Sequence, residues 1–117
     1  MNKLPCLVAG GAPTIQGISV DPALRVRNFD GPGTAYIRPH DIEVIAGKDD
    51  AVVRVIAPSG AAIKFEVELN HDGRLIEVEM RTGRFESMHI VTGMRIGLLA
   101  HNFKVFDDSA VSAAASS

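Results

Sequence analysis

Four histidines, His40, His71, His89 and His101, carry the side chains best suited to hold a metal or pass a proton near neutral pH. None lies three or four residues from another, so no helix turn can present two of them together. A metal site would depend wholly on the tertiary fold, and the spacing favours isolated turn, surface or interface histidines. Glu66, Glu68, Glu77 and Glu79 could form paired carboxylates for acid–base work if two strands brought them face to face. Each alternates with an apolar residue, however, which reads as the solvated face of a hairpin, with Lys64, Arg74 and Arg81 offsetting the like charges across the strands. Gly10-Gly11 lacks the Lys-Ser/Thr of a phosphate-cradling loop, and no Gly-x-Ser-x-Gly elbow is present. The chain is therefore not expected to be an enzyme.

The stretch Tyr36-Ile37-Arg38-Pro39-His40-Asp41-Ile42-Glu43-Val44 remains as a candidate site. Pro39 removes a ladder donor from an otherwise strand-like run, and Arg38, His40 and Asp41 cluster around the break. Two readings stand side by side. Arg38 and Asp41 tie the bend through a charge-assisted hydrogen bond, or the corner offers a polar patch to a neighbouring domain, subunit or small anion.

The elements that would position these residues are short strands. Ile63, Phe65, Val67 and Leu69 alternate with Lys64, Glu66, Glu68 and Asn70, and Ile76, Val78 and Met80 alternate with Glu77, Glu79 and Arg81. With Asn70-His71-Asp72-Gly73 as turn chemistry, residues 61 to 81 read as a hairpin. Ala51 to Ala57 is a Val- and Ile-rich strand, preceded by the polar turn Lys48-Asp49-Asp50. The first thirty residues, punctuated by Gly and Pro, predict one or two short strands. Thr82 is placed to cap a short helix through about Ile90, ended by Gly93, and Met94 to Phe106 returns to extended structure. The expectation is an all-β fold, a small OB-like antiparallel barrel with one short helix before the last strand, over residues 1–108, and a disordered tail at 109–117.

Composition narrows the function classes. The 117 residues carry 12 basic and 14 acidic side chains, a net charge of -2, with both signs scattered. Nucleic-acid and anionic-membrane binders need clustered Lys and Arg, and one Tyr, five Phe and no Trp leave few stacking platforms, so no nucleic-acid partner is expected. No apolar run approaches the roughly 20 residues of a membrane span. A single cysteine, Cys6, cannot form an intrachain disulfide, which fits a reducing cytoplasm, and no export signal is read at the start.

The Tyr36–Val44 stretch resembles the TOBE domain, the accessory C-terminal domain that follows the ATPase domain in importer-type ABC transporter subunits, most of all in the sulfate/thiosulfate branch. The resemblance runs on through the strand at 51 to 57, the hairpin at 61 to 81, Gly93-Met94-Arg95-Ile96-Gly97 and Phe103-Lys104-Val105-Phe106, about two thirds of the chain. Asn2-Lys3-Leu4-Pro5 is similar to the entry into that domain's first strand. The resemblance implies a regulatory and dimer-stabilising module on the cytoplasmic side of a transporter, partnered by a second copy, the ATPase domain and, through it, the membrane permease. ATP and Mg would belong to the nucleotide-binding domain, whose motifs are not in this sequence. Some relatives bind a small oxyanion; loose candidates here are Arg38 and the run from Ser59 to Lys64, and a free-standing oxyanion-binding protein of the molbindin type is the alternative reading.

Overall fold

The computed structural model describes residues 1–27 and 29–107. In chain order the elements are β1 (Asn2–Ala9), β2 (Ala12–Ile15), β3 (Ser19–Val20), β4 (Gly31–Ile37), one 3-10 turn (Pro39–Asp41), β5 (Ile42–Ile45), β6 (Ala51–Ser59), β7 (Ala62–Leu69), β8 (Leu75–Arg81), α1 (Thr82–Met88), β9 (Arg95–Ala100) and β10 (Lys104–Asp107). They form a four-stranded sheet, β10-β4-β1-β2, and a six-stranded sheet, β3-β9-β6-β7-β8 with β5 also paired to β9. Every ladder is antiparallel except β3 against β9. The chain is thus mostly β with one short helix, as its alternation predicts, and is consistent with a small OB-like fold; the described ladders form two sheets and no closed ring. Among the described residues no helix is long and apolar enough to cross a membrane. The tail expected at 109–117 lies outside the described residues.

The alternating residues drive this arrangement. Ile63, Phe65, Val67, Leu69, Ile76 and Val78 all turn inward and are buried, while Met80 is half-buried at the end of β8. The hairpin register pairs Phe65 with Val78 and Val67 with Ile76. Leu4, Cys6 and Val8 do the same from β1. Gly10 and Gly11, at φ +59° and +79°, make the two-residue turn that returns β1 into β2. β6 carries a bulge between Val53 and Val55, so Val53 is buried and Val55 faces solvent despite both being valine.

Three local expectations change. Thr82 does not cap the helix: Arg81 occupies the N-cap position without a side-chain bond, and the Thr82 hydroxyl is buried with no partner among the described residues. The helix ends at Met88, where His89 adopts the left-handed conformation (φ 54°) and donates its backbone N–H to the Glu86 carbonyl at 3.1 Å. Gly93 belongs to the next turn, donating to the Val53 carbonyl at 2.7 Å. The extended segment after the helix then divides into two strands in different sheets, β9 and β10, rather than one.

The polar turn before β6 is a junction. Arg95 Nη1 donates to Asp49 Oδ2 at 2.8 Å and Asn70 Nδ2 to Asp49 Oδ1 at 2.9 Å, and these two donors, Arg95 foremost, hold the Asp49 carboxyl below the usual carboxylate range. Next to it, the Asp50 carboxylate accepts the backbone N–H of Leu98 at 2.9 Å. Two adjacent aspartates therefore fasten β6, β7 and β9 at one end of the six-stranded sheet.

Candidate functional site

Proline at 39 ends β4 because it has no N–H for the ladder and a fixed φ, and the chain turns through Pro39–Asp41 into β5. The turn is closed by backbone: the Asp41 N–H donates to the Arg38 carbonyl at 2.9 Å, and the Asp41 carbonyl accepts the N–H of His101 at 2.9 Å. The expected Arg38–Asp41 side-chain bond is not formed among the described residues. Asp41 instead faces His40, with Nε2 to Oδ2 at 3.8 Å, and His40 Nδ1 reaches Glu79 Oε2 on β8 at 4.0 Å.

The corner opens onto a cleft of about 620 Å³ between β5 and β8. Its floor is apolar, from Ile42, Val44 and Met80, and its rim is charged. Glu43 is the hub of that rim: one carboxylate oxygen accepts Arg84 Nη2 at 3.0 Å and the other meets His101 Nε2. One side chain of β5 thereby holds the helix and the chain leaving β9. Partly exposed ion pairs of this kind contribute about 0–1 kcal/mol each, so their value lies in fixing geometry. Arg81, also on the rim, forms no ion pair among the described residues. Because His101 bonds Asp41 and the ladder continues at Glu43–Leu99 and Ile45–Gly97, the pleat turns the peptide groups of Ile42 and Val44 away from β9 and toward β8. The outer edge of β8 faces back, so the cleft lies between two strand edges that no third described strand pairs.

The other residues singled out by sequence do not join this cleft. Arg38 is exposed and lines a separate recess of about 280 Å³ with Tyr36, Asn102 and Lys104, as does Asp41. Ser59 pairs with Ala62 at the end of the β6–β7 hairpin. Lys64 stands exposed on β7 opposite Glu79. His40 and Asp41 are brought together, while Arg38 lies in the separate recess and Lys64 on the exposed face of β7. Of the cross-strand compensation expected on the hairpin, Lys64 and Arg81 take no part among the described residues. Arg54 pairs with Glu68 at 3.3 Å and Arg74 with Asp72 at 3.6 Å, while Glu66 lies directly opposite Glu77. Among the described residues no three His, Cys, Asp or Glu side chains converge as a metal-ligand set. Sequence reasoning missed Glu43 as a hub, since its partners Arg84 and His101 lie 41 and 58 residues away. The arrangement is a polar corner in which Glu43 ties α1 and the chain leaving β9 to β5.

No family model matches the chain. It is 30% identical over 104 residues to the sulfate/thiosulfate import ATP-binding protein CysA of Burkholderia mallei, an alignment spanning 85% of this chain and 27% of that protein. It is 27% identical over 110 residues to the sulfate/thiosulfate import ATP-binding protein CysA 2 of Shewanella oneidensis, spanning 91% of this chain and 31% of that protein. The chain is thus weakly homologous, over most of its length, to an ATP-binding subunit of a sulfate/thiosulfate importer, and spans less than a third of the curated relatives it matches.

Proposed function

We propose that this chain is a TOBE-type regulatory and dimer-stabilising module of an ABC importer ATPase subunit, of the sulfate/thiosulfate or a related oxyanion type. The observation that carries the reading is the pairing of a match over 85–91% of this chain with only 27–31% of the relatives. A β-rich accessory unit of a larger ATPase accounts for both shares. In this reading ATP and Mg are handled by a nucleotide-binding domain and not by these residues, and the module works at the cytoplasmic face of the membrane beside a second copy, the ATPase domain and the permease.

Such a module acts by contact. A transport cycle alternates between states, and an accessory domain biases it only through contacts that differ between them. The Pro39 corner supports this role because Glu43 connects β5 to α1 through Arg84 and to the chain leaving β9 through His101, so a contact made there reaches three elements.

Affinity isolation of the tagged protein from detergent-solubilised membranes of the source cell tests the reading. The expected co-isolates are an ABC ATP-binding subunit and its permease. Isolation without either, together with a thermal shift in millimolar sulfate or molybdate, would replace the proposal with the free-standing oxyanion-binding alternative.

A further inference from the structure

The outer face of the four-stranded sheet is cationic at one end and apolar at the other. Cross-strand pairs place Lys3, Tyr36 and Lys104 in one row, Pro5, Thr34 and Phe106 in the next, and Leu7 with Pro32 in a third. Pleat alternation extends the face to Arg38, two residues beyond Tyr36. No Asp or Glu occupies the positions from Pro32 to Arg38 on this face or their cross-strand partners; Asp30, two residues before Pro32, lies at the apolar end and accepts the Gly11 N–H. Lys3 lies over the Tyr36 ring, its Nζ 5.4 Å from the centroid, and Phe106 packs edge-on against Tyr36 at 5.0 Å. Lys3, Arg38 and Lys104 form no ion pair with any described residue. Leu7 and Phe106 are 52% and 51% exposed, so the aromatic and aliphatic side chains lie open beside these cations; the one carboxylate that shares the recess of Arg38 and Lys104 is Asp41, whose ion-pair contact is with His40.

We propose that this face docks an acidic, amphipathic protein segment, whose carboxylates meet Arg38, Lys104 and Lys3 while its apolar side chains cover Phe106, Leu7 and Pro32. Charge complementarity selects the acid, since three cations that form no ion pair share this end of the face with a single carboxylate, Asp41, and so leave an excess of positive charge. The distribution selects protein over nucleic acid. A polynucleotide needs cations tracking its backbone along the whole groove, whereas here they gather at one end and the other end is Pro5, Leu7 and Pro32. Exposed aromatic side chains beside Arg and Lys are also the composition of interface anchors.

The test is a titration of the isotope-labelled 117-residue chain, followed by amide NMR, with three probes: a soluble peptide of repeated Glu-Glu-Leu units, an oligothymidine, and phosphatidylglycerol vesicles. The peptide is expected to move the amide signals of Tyr36, Lys104 and Phe106. Lys104→Glu should weaken its apparent affinity about tenfold, and Lys64→Glu, on the other sheet, should leave it unchanged. The proposal is overturned if the peptide perturbs only other residues, if Lys104→Glu has no effect, or if oligothymidine or the vesicles bind this face more tightly than the peptide.

Discussion

The side-chain amide of Asn2 completes the free edge of β8 at Glu77: Asn2 Nδ2 donates to the Glu77 carbonyl at 2.7 Å, and Asn2 Oδ1 accepts the Glu77 N–H at 2.9 Å. One residue of the four-stranded sheet thus mimics a strand partner for the six-stranded sheet, 75 positions away in sequence. Asn2 is the sole buried polar residue among the described core positions, and both of its amide functions are used. Asn2→Ala leaves two backbone groups of Glu77 without protein partners and should cost about 1–3 kcal/mol. Urea unfolding checks this, and an unchanged midpoint would show that solvent replaces both bonds without penalty.

Gly97 and Gly83 make a matched pair of opposite sign. A Cβ at Gly97 would sit 2.7 Å from Lys48 Cβ and 3.0 Å from the Ile45 carbonyl oxygen, whereas one at Gly83, in the helix, meets nothing within 4 Å. Gly97→Ala should destabilise by about 1–3 kcal/mol through forced separation of β5 and β9. Gly83→Ala should stabilise by up to about 1 kcal/mol by restricting the unfolded chain. The two melting temperatures, measured side by side, decide it.

Phe65 tests the alternation directly. It is 2% exposed and packs against Phe85 with ring centroids 6.0 Å apart, while its neighbour Lys64 faces solvent. Phe65→Ala is expected to cost about 3–5 kcal/mol, and Lys64→Ala to stay within about 0.5 kcal/mol of the parent. On the outer face, Glu66→Lys converts a like-charge pair with Glu77 into an opposite one and should add about 0.2–1 kcal/mol in low salt.

Asp49 sets the acid end of the stability profile. Arg95 and Asn70 lower its folded pKa below the ordinary value of 3.8, so its contribution is fully present above that value and is lost as pH falls through the lower, folded one. The stability difference between the parent and Asp49→Asn should therefore be flat from about pH 5 to 7 and shrink below about pH 4. A difference that grows on acidification would contradict the assignment. The exposed position of the pair makes the effect small and salt-sensitive.

How far the chain could be read depended on whether the signal was local. The hairpin at 61 to 81 was legible because strict alternation leaves one apolar face, and Phe65 and Val67 are buried for that reason. The break at Pro39 was legible because proline has a fixed backbone role. The eight residues of β1 were not, since Pro5 argues against a long strand. Pro5 is tolerated because β2 begins its pairing only at Cys6, so β1 has a single strand neighbour at that point. At the Pro39 corner the sequence shows His40 and Asp41 as neighbours of the break, but not Glu43 with Arg84 and His101, because those contacts exist only once α1 and β9 have folded back on β5. Helix termination at His89 was hidden for a different reason, since a glycine four residues later looked like the better stop.

The central claim, a regulatory module belonging to an importer ATPase subunit, is tested most directly by the size of the native polypeptide that carries these residues. An antibody raised against the domain should detect, in an extract of the source cell, a band several times larger than 12.5 kDa, as the 27–31% share of the relatives implies. A band at 12.5 kDa would contradict the account and turn attention to anion binding by a free-standing protein.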